Sequence, residues 1–284
     1  MRYVIEHFNS IDAMVEAGNK RPNNSAMGDS KDSETGSKSF TNTNSYKEAE
    51  ELLKYGWSEK LPEIKKALGQ FERVNAGTAS VSRQRPALGI AGFTPHIPNA
   101  ILGLPNSMIY TNKEPQKVKV IRILYGQHAH AGVKANDLTK AGIEVLKIVN
   151  RLESNGYRVQ LDIIPYTGTG ERQTAICNCT IKEYRQPLDL KKIAFPIAHP
   201  SMLRRIMFKW LETTPNLTDV DFRWGYGSPM RDYDDLKDTL KKQKVMDDNT
   251  FLITYYMVDD CGYDMDRICK KAGISKVIEG RAIA

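Results

Sequence analysis

Beyond residue 117 the chain alternates short apolar runs with amphipathic stretches. "VKVIRILY" (residues 118–125) is apolar on both faces, as a strand held between two layers must be. It leads to a stretch from about 136 to 155 in which Leu138, Val145, Leu146, Val149 and Leu152 recur at helical spacing, with Gly156 placed to close the helix. "YRVQLDIIPY" (157–166) predicts the next strand, and "RQTAICNCTIKE" (172–183) alternates as a strand does. "DLKKIAFPIAH" (189–199) predicts a further strand, and "PSMLRRIMFKWLETT" (200–214) a helix opened by Pro200. A helix near "DLKDTLKKQKV", a strand in "NTFLITYYMV" and a helix in "YDMDRICKKAG" complete the series. Strands alternating with helices predict an α/β domain of three layers, a mainly parallel sheet with helices on both faces. Segments 117–125, 157–165 and 250–258 should be near neighbours in that sheet.

The first 116 residues divide differently. Residues 1–18 predict a short strand and helix, and 19–39 have almost no large apolar side chains, which predicts a flexible linker or insertion. Residues 40–116 hold a helical hairpin and a long connection. The first helix spans 45–57, with Ser45 and Glu48 spaced as a capping box and Gly56 at its end; the second, from about 58 to 70, places Leu61, Ile64, Ala67, Leu68 and Phe71 on one face. Residues 83–108, rich in Pro and Gly yet apolar, read as a packed connection crossing the core domain, which occupies 117–284. The amino-terminal part is thus helical and the remainder α/β.

Composition narrows the function classes. The 284 residues are 40% hydrophobic and carry 41 Lys and Arg against 34 Asp and Glu, a formal charge of +7 that suits contact with polyanions. There is no apolar run of about 18 residues and no basic-then-apolar leader, so the expectation is a cytoplasmic protein without a membrane partner. Cys177, Cys179, Cys261 and Cys269 are too few and unevenly spaced for a disulfide scaffold and read as reduced thiols. Neither phosphate-binding glycine motif occurs, and no cofactor is implied.

The order "VIRILYG", small-residue loop, long helix, "LESNGYRVQLDII" resembles the opening of a von Willebrand factor A-type domain. Together "SFTNTNSYKEAEELLKYGW", "IPNAILGLPNSM" and "VNRLESNGYRVQLDII" resemble an uncharacterised family of tailed-bacteriophage proteins over about residues 39–210; that likeness implies a host-cytoplasmic location and brings no activity. The von Willebrand pattern places Asp-x-Ser-x-Ser after the first strand, whereas Gly126, Gln127, His128, Ala129 and His130 stand here. Its magnesium site and adhesion function therefore do not carry over.

Two sets of side chains remain as chemistry. His128 and His130 suit a softer metal if a third ligand such as His199 converges, with His96, Asp259 and Asp260 as further candidates; otherwise they are solvated or hydrogen-bonded loop residues. Lys182, Arg185, Lys191, Lys192, Arg204 and Arg205 cluster in sequence, and Arg223 and Trp224 sit in a second aromatic and basic loop, a pattern that suits phosphate contact and base stacking. The leading expectation is a non-catalytic phage accessory protein binding nucleic acid, or a phage or host protein complex, through this basic face. A metal-dependent phosphoesterase or other hydrolase using the His-Ala-His loop is the alternative, ranked second because no complete catalytic constellation is present.

Overall fold

A computed structural model describes residues 2–29, 31–75, 85–112, 119–130, 132–168, 173–218 and 233–279. In chain order they form β1 (Arg2–Phe8), α1 (Ile11–Lys20), the single turns α2 (Asp32–Thr35) and α3 (Lys38–Thr41), α4 (Tyr46–Tyr55) and α5 (Leu61–Asn75). There follow β2 (Arg85–Gly89), β3 (Thr94–Pro95), α6 (Ile97–Ile101), β4 (Met108–Asn112), β5 (Val120–Gly126), α7 (Ala135–Ser154), β6 (Arg158–Ile163), β7 (Tyr166–Gly168) and β8 (Gln173–Lys182). The last third holds α8 (Leu190–Ala198), a π-helical segment Met202–Met207, α9 (Phe208–Thr213), α10 (Tyr233–Lys242), β9 (Thr250–Thr254), α11 (Tyr255–Asp260), α12 (Met265–Ala272) and α13 (Ile274–Glu279). No helix among the described residues is long and apolar enough to cross a membrane.

The main sheet runs β1-β8-β6-β5-β9, with β7 paired to β8. β6, β5 and β9 are mutually parallel, as their long crossovers require, while β8 returns antiparallel to β6 and carries β1 parallel to itself. The three strands expected to be neighbours are adjacent. Alternation decides which side chain goes where: Ile121, Ile123 and Tyr125 of β5 enter the larger core beneath α7, α8 and α12, and Leu124 enters a smaller one beneath α10. The fold is therefore α/β with helices on both sheet faces. On the α10 side, Arg122 donates to Asp162 through Nε (2.7 Å), to Val245 O (2.9 Å) and to Asn178 Oδ1 (3.0 Å), which satisfies a fully buried carboxylate.

The helix α7 buries one face against α8, α5, α11 and α12, and α8 crosses it closely. The contact is at Gly142, where a Cβ would stand 2.4 Å from Ile197 O and 2.5 Å from Ala198 Cα. At α4, Ser45 Oγ accepts from Glu48 N (3.1 Å), as the capping box requires, but Glu48 Oε2 accepts from the backbone N–H of Asn44 rather than that of Ser45. Gly56 is needed for φ +88° and for space, since a Cβ would meet Lys191 O at 2.4 Å.

The strand and helix expected in residues 1–18 are present as β1 and α1, and β1 completes the edge of the main sheet beside β8. Other expectations are corrected. The segment 19–39 is built into the body by polar anchors rather than apolar area. Asn24 Nδ2 donates to Leu211 O (2.7 Å), and Ser33 gives its N–H (2.9 Å) and Oγ–H (2.6 Å) to the buried Glu212 carboxylate. Arg205, with no exposed surface, donates to Ser33 O (3.0 Å), Glu34 O (3.1 Å), Gly36 O (3.2 Å), Thr43 O (2.9 Å) and Thr43 Oγ1 (2.7 Å). Within residues 189–199 the chain forms the helix α8, capped by Asp189 Oδ1 accepting from Lys191 N (3.1 Å); burial of every residue from Ile193 to Ala198 removes the periodicity that tells helix from strand. From Arg85 on, the stretch expected to cross the core does not do so. Its described part builds a separate three-stranded sheet, β2-β4-β3, with α6 between β3 and β4.

Two substitutions test these joints. Gly142→Ala should lower stability by about 1–3 kcal/mol despite an improved helix propensity, because the added methyl overpacks α7 against α8; an unchanged urea midpoint would contradict the close crossing. Arg205→Met should cost at least about 3 kcal/mol by stranding buried carbonyls, and should open residues 31–43 to limited proteolysis.

Candidate functional site

From β5 the chain crosses to β6 on one side, while β9 lies on the other, the arrangement that in open α/β sheets leaves a crevice beyond the carboxyl ends of the two strands. This is a topological switch point, where open α/β sheets place ligands. Thr254 ends β9 there by turning its Oγ1 to accept from Met257 N (3.1 Å), so residues 255–260 coil into α11 rather than prolonging the strand. That turn points Tyr256 toward the loop after β5. Gln127, the first residue of that loop, is buried and donates through Nε2 to Ile197 O (3.3 Å) and His199 O (3.4 Å), which ties the loop to the end of α8.

The next residues continue the loop beyond the end of β5. His128 lies 91% buried with its ring 4.6 Å from that of Tyr166, and its Nδ1 accepts from Tyr166 N (3.4 Å). His130 is exposed; its N–H donates to Tyr256 Oη (3.0 Å), its ring stacks on Tyr256, and its Nδ1 accepts from Gly132 N (2.9 Å). Arg204 leaves the π-helical segment sandwiched between Phe40 (4.8 Å) and Phe208 (5.2 Å), within electrostatic reach of both His128 and Tyr256. Burial works against the Arg204 charge, and Asp32 and Tyr256 offset it. The twenty-residue α7 begins at the same place, and Lys134 at its N-cap offers no side-chain hydrogen bond to the orphan N–H groups.

The tautomers decide what this site can do. An Nδ1 that accepts a backbone N–H has no proton, so the neutral rings of His128 and His130 carry theirs on Nε2, as donors. His199 follows the same rule, its Nδ1 accepting from Ser201 N (3.1 Å). Histidine ligands usually do the reverse, donating Nδ1–H to an oxygen so that Nε2 is free for the metal. His199 stands apart from the other two, its ring 4.6 Å from Trp57 and 4.7 Å from Phe195 beside a groove of about 920 Å³ that Lys38, Asn42, Glu48 and Lys60 also line. The His128, His130 and His199 set is not brought together, and among the described residues no three His, Cys, Asp or Glu side chains are placed to hold a metal.

The expected basic face is dispersed. Lys182 is fully buried, paired with Glu153 (2.6 Å) and donating to Val159 O (2.8 Å), and Arg205 is consumed by the 33–43 segment; neither can reach a phosphate. Arg185, lying over Tyr184, and Lys191 and Lys192 are exposed at the start of α8, about 13 Å along its axis from the end that leads to Arg204. Arg223 and Trp224 lie outside the described residues. Sequence reasoning missed Tyr256, concealed in an apolar run read as strand to its end, and the polar role of Gln127.

A family model described as Domain of unknown function (DUF7192) matches residues 2–276. No curated protein and no solved structure matches the chain.

Burial holds His128 down to about 3, helped by the Arg204 charge, and His199 down to about 4. An unfolded histidine protonates near 6.5, so between these values the unfolded chain binds more protons and stability falls as pH falls. The loss should begin below about pH 6.5 at up to ~1.4 kcal/mol per pH unit for each ring. His199→Asn, which keeps an acceptor for Ser201 N, should flatten the dependence of the urea midpoint between neutral pH and 5; an unaltered slope would contradict it.

Proposed function

We propose that this chain, which belongs to the DUF7192 family, binds an anionic group at the β5–β9 crevice without catalysis, the ligand being a phosphate of nucleic acid. The observation that carries the reading is that the polar groups named there present donors: Nε2–H of His128 and His130, the Arg204 guanidinium, the Tyr256 hydroxyl and the start of α7. A buried neutral imidazole titrating near 3 is poorly matched to general-base work at neutral pH, which favours binding over hydrolysis. Arg185, Lys191 and Lys192 would add a second point of contact for a longer strand. The order of β5, the 127–134 loop, α7 closed before Gly156 (φ +78°) and an adjacent β6 supports a core of von Willebrand A type in finer topology, with a donor-lined loop in place of oxygen ligands. The likeness to tailed-phage proteins fits a role as an accessory protein on viral or host nucleic acid.

Fluorescence anisotropy with a short 5′-phosphorylated single strand tests this. Arg204→Gln should weaken binding at least about tenfold and lower the salt slope by about one unit; His130→Ala should weaken it less. Lys191→Ala with Lys192→Ala should affect long strands and leave a mononucleotide unaffected. Binding indifferent to salt and to Arg204 would remove the crevice from consideration.

A further inference from the structure

We propose that residues 86–112 form an arm through which two copies of this chain associate. The segment is independent of the phosphate reading, and its composition sets it apart: from Pro86 to Asn112 there is no Asp, Glu, Lys or Arg, in a chain of which 26% is charged. It is an ordered module. β2 and β3 both pair with β4, His96 N donates to Ser107 O (2.7 Å), and Asn99 Nδ2 donates to Asn106 O (3.0 Å). A Cβ on Gly92 would fall 2.2 Å from Ile109 O, so the backbone crossing there is tight. Yet among the described residues no element of the body packs on the module beyond marginal contact.

Its apolar side chains therefore face outward. Eight of the ten large hydrophobic side chains exposed among the described residues lie on it; Ile90 is 82% exposed, Ile101 79% and Leu102 72%. A module this short cannot enclose a core of its own: units under about 40 residues need disulfides, metal or oligomerisation. The four cysteines lie elsewhere in the chain, and among the described residues no three His, Cys, Asp or Glu side chains are placed to hold a metal, which leaves association.

Charge and area favour a second copy as the occupant. Other surfaces of a chain with net charge +7 bring like charges together when two copies meet, whereas arm against arm brings none. The eight side chains leave on the order of 900 Å² uncovered, close to the roughly 800 Å² per partner of a standard interface, and a two-fold axis would cover both arms at once. Strand addition is not the mode. Pro86 on β2 and Pro95 on β3 remove N–H donors from both edges of the small sheet, so the contact is made by side chains.

Sedimentation of the nuclease-treated full chain across the micromolar range, at low and high salt, tests the arm. Wild type should sediment as a dimer or larger species at both salts, because apolar association is not screened. Ile97→Lys with Ile101→Lys, both on the exposed face of α6, should weaken self-association at least tenfold with an unchanged circular dichroism spectrum; Phe93→Ser serves if that pair misfolds. A wild type that stays monomeric, or an oligomer that neither variant weakens, overturns the proposal. A monomer that floats with neutral phosphatidylcholine vesicles also overturns it and assigns the arm to a lipid surface.

Discussion

Burying a guanidinium is costly unless every N–H finds an acceptor, and Arg205 meets that condition chiefly by collecting carbonyls from residues 33 to 43, with the Glu48 carboxylate within electrostatic reach. A polar segment with little apolar area is thereby ordered through saturated polar contacts. Its ordering has a consequence one residue away. α3 carries Phe40, and Phe40 is one wall of the slot that holds Arg204. The π-helical stretch thus sends consecutive arginines to different tasks, Arg205 inward as a clamp and Arg204 outward beside His128. Wide π turns of this kind recur where a helix surface is re-aimed for function.

The crevice depends on that clamp and on the sheet order. Parallel β5 and β9 deliver the 127–134 loop and Tyr256 to one place, and the His130 N–H to Tyr256 Oη bond joins the two sides of the switch point. Backbone N–H groups occupy Nδ1 of each imidazole, which leaves the proton of the neutral ring on Nε2. Under the proposed reading the same tautomers favour an oxyanion over a metal, a distinction that rests on proton position rather than residue identity.

The central sheet was legible because its strands are β-branched, apolar on both faces and separated by a long amphipathic helix; Ile121, Ile123, Leu161 and Ile253 follow directly from pattern. Legibility failed where order comes from other sources. Nothing in local composition shows that Lys182 is drawn inside by Glu153 or that Arg205 is shielded by carbonyls from residues 160 or more positions earlier in the chain. The apolar character of α8 hid its period, and the cap at Thr254 ended β9 inside a run that looked like strand. At the site, His128 and His130 were visible as a spacing, but their tautomers depend on Tyr166 and Gly132 backbone geometry. Residues 83–108, rich in Pro and Gly yet apolar, read as a connection crossing the core because apolar residues normally go there; the outward display of Ile90, Ile101 and Leu102 has no counterpart in the local pattern.

The two proposed sites are chemically opposite and lie on different parts of the chain, so a ligand at one would not compete chemically with a partner at the other. Coupling between them would arise through geometry. Two copies joined by uncharged arms would present two donor-lined crevices to one polyanion, and binding at the second would become intramolecular, which can raise avidity by about 10²–10⁴ without a new contact. A single phosphate gains nothing from this, while a strand long enough to span both crevices gains the full factor. Length selectivity would therefore come from the arm, and recognition of the anionic group from Arg204, His128, His130 and Tyr256.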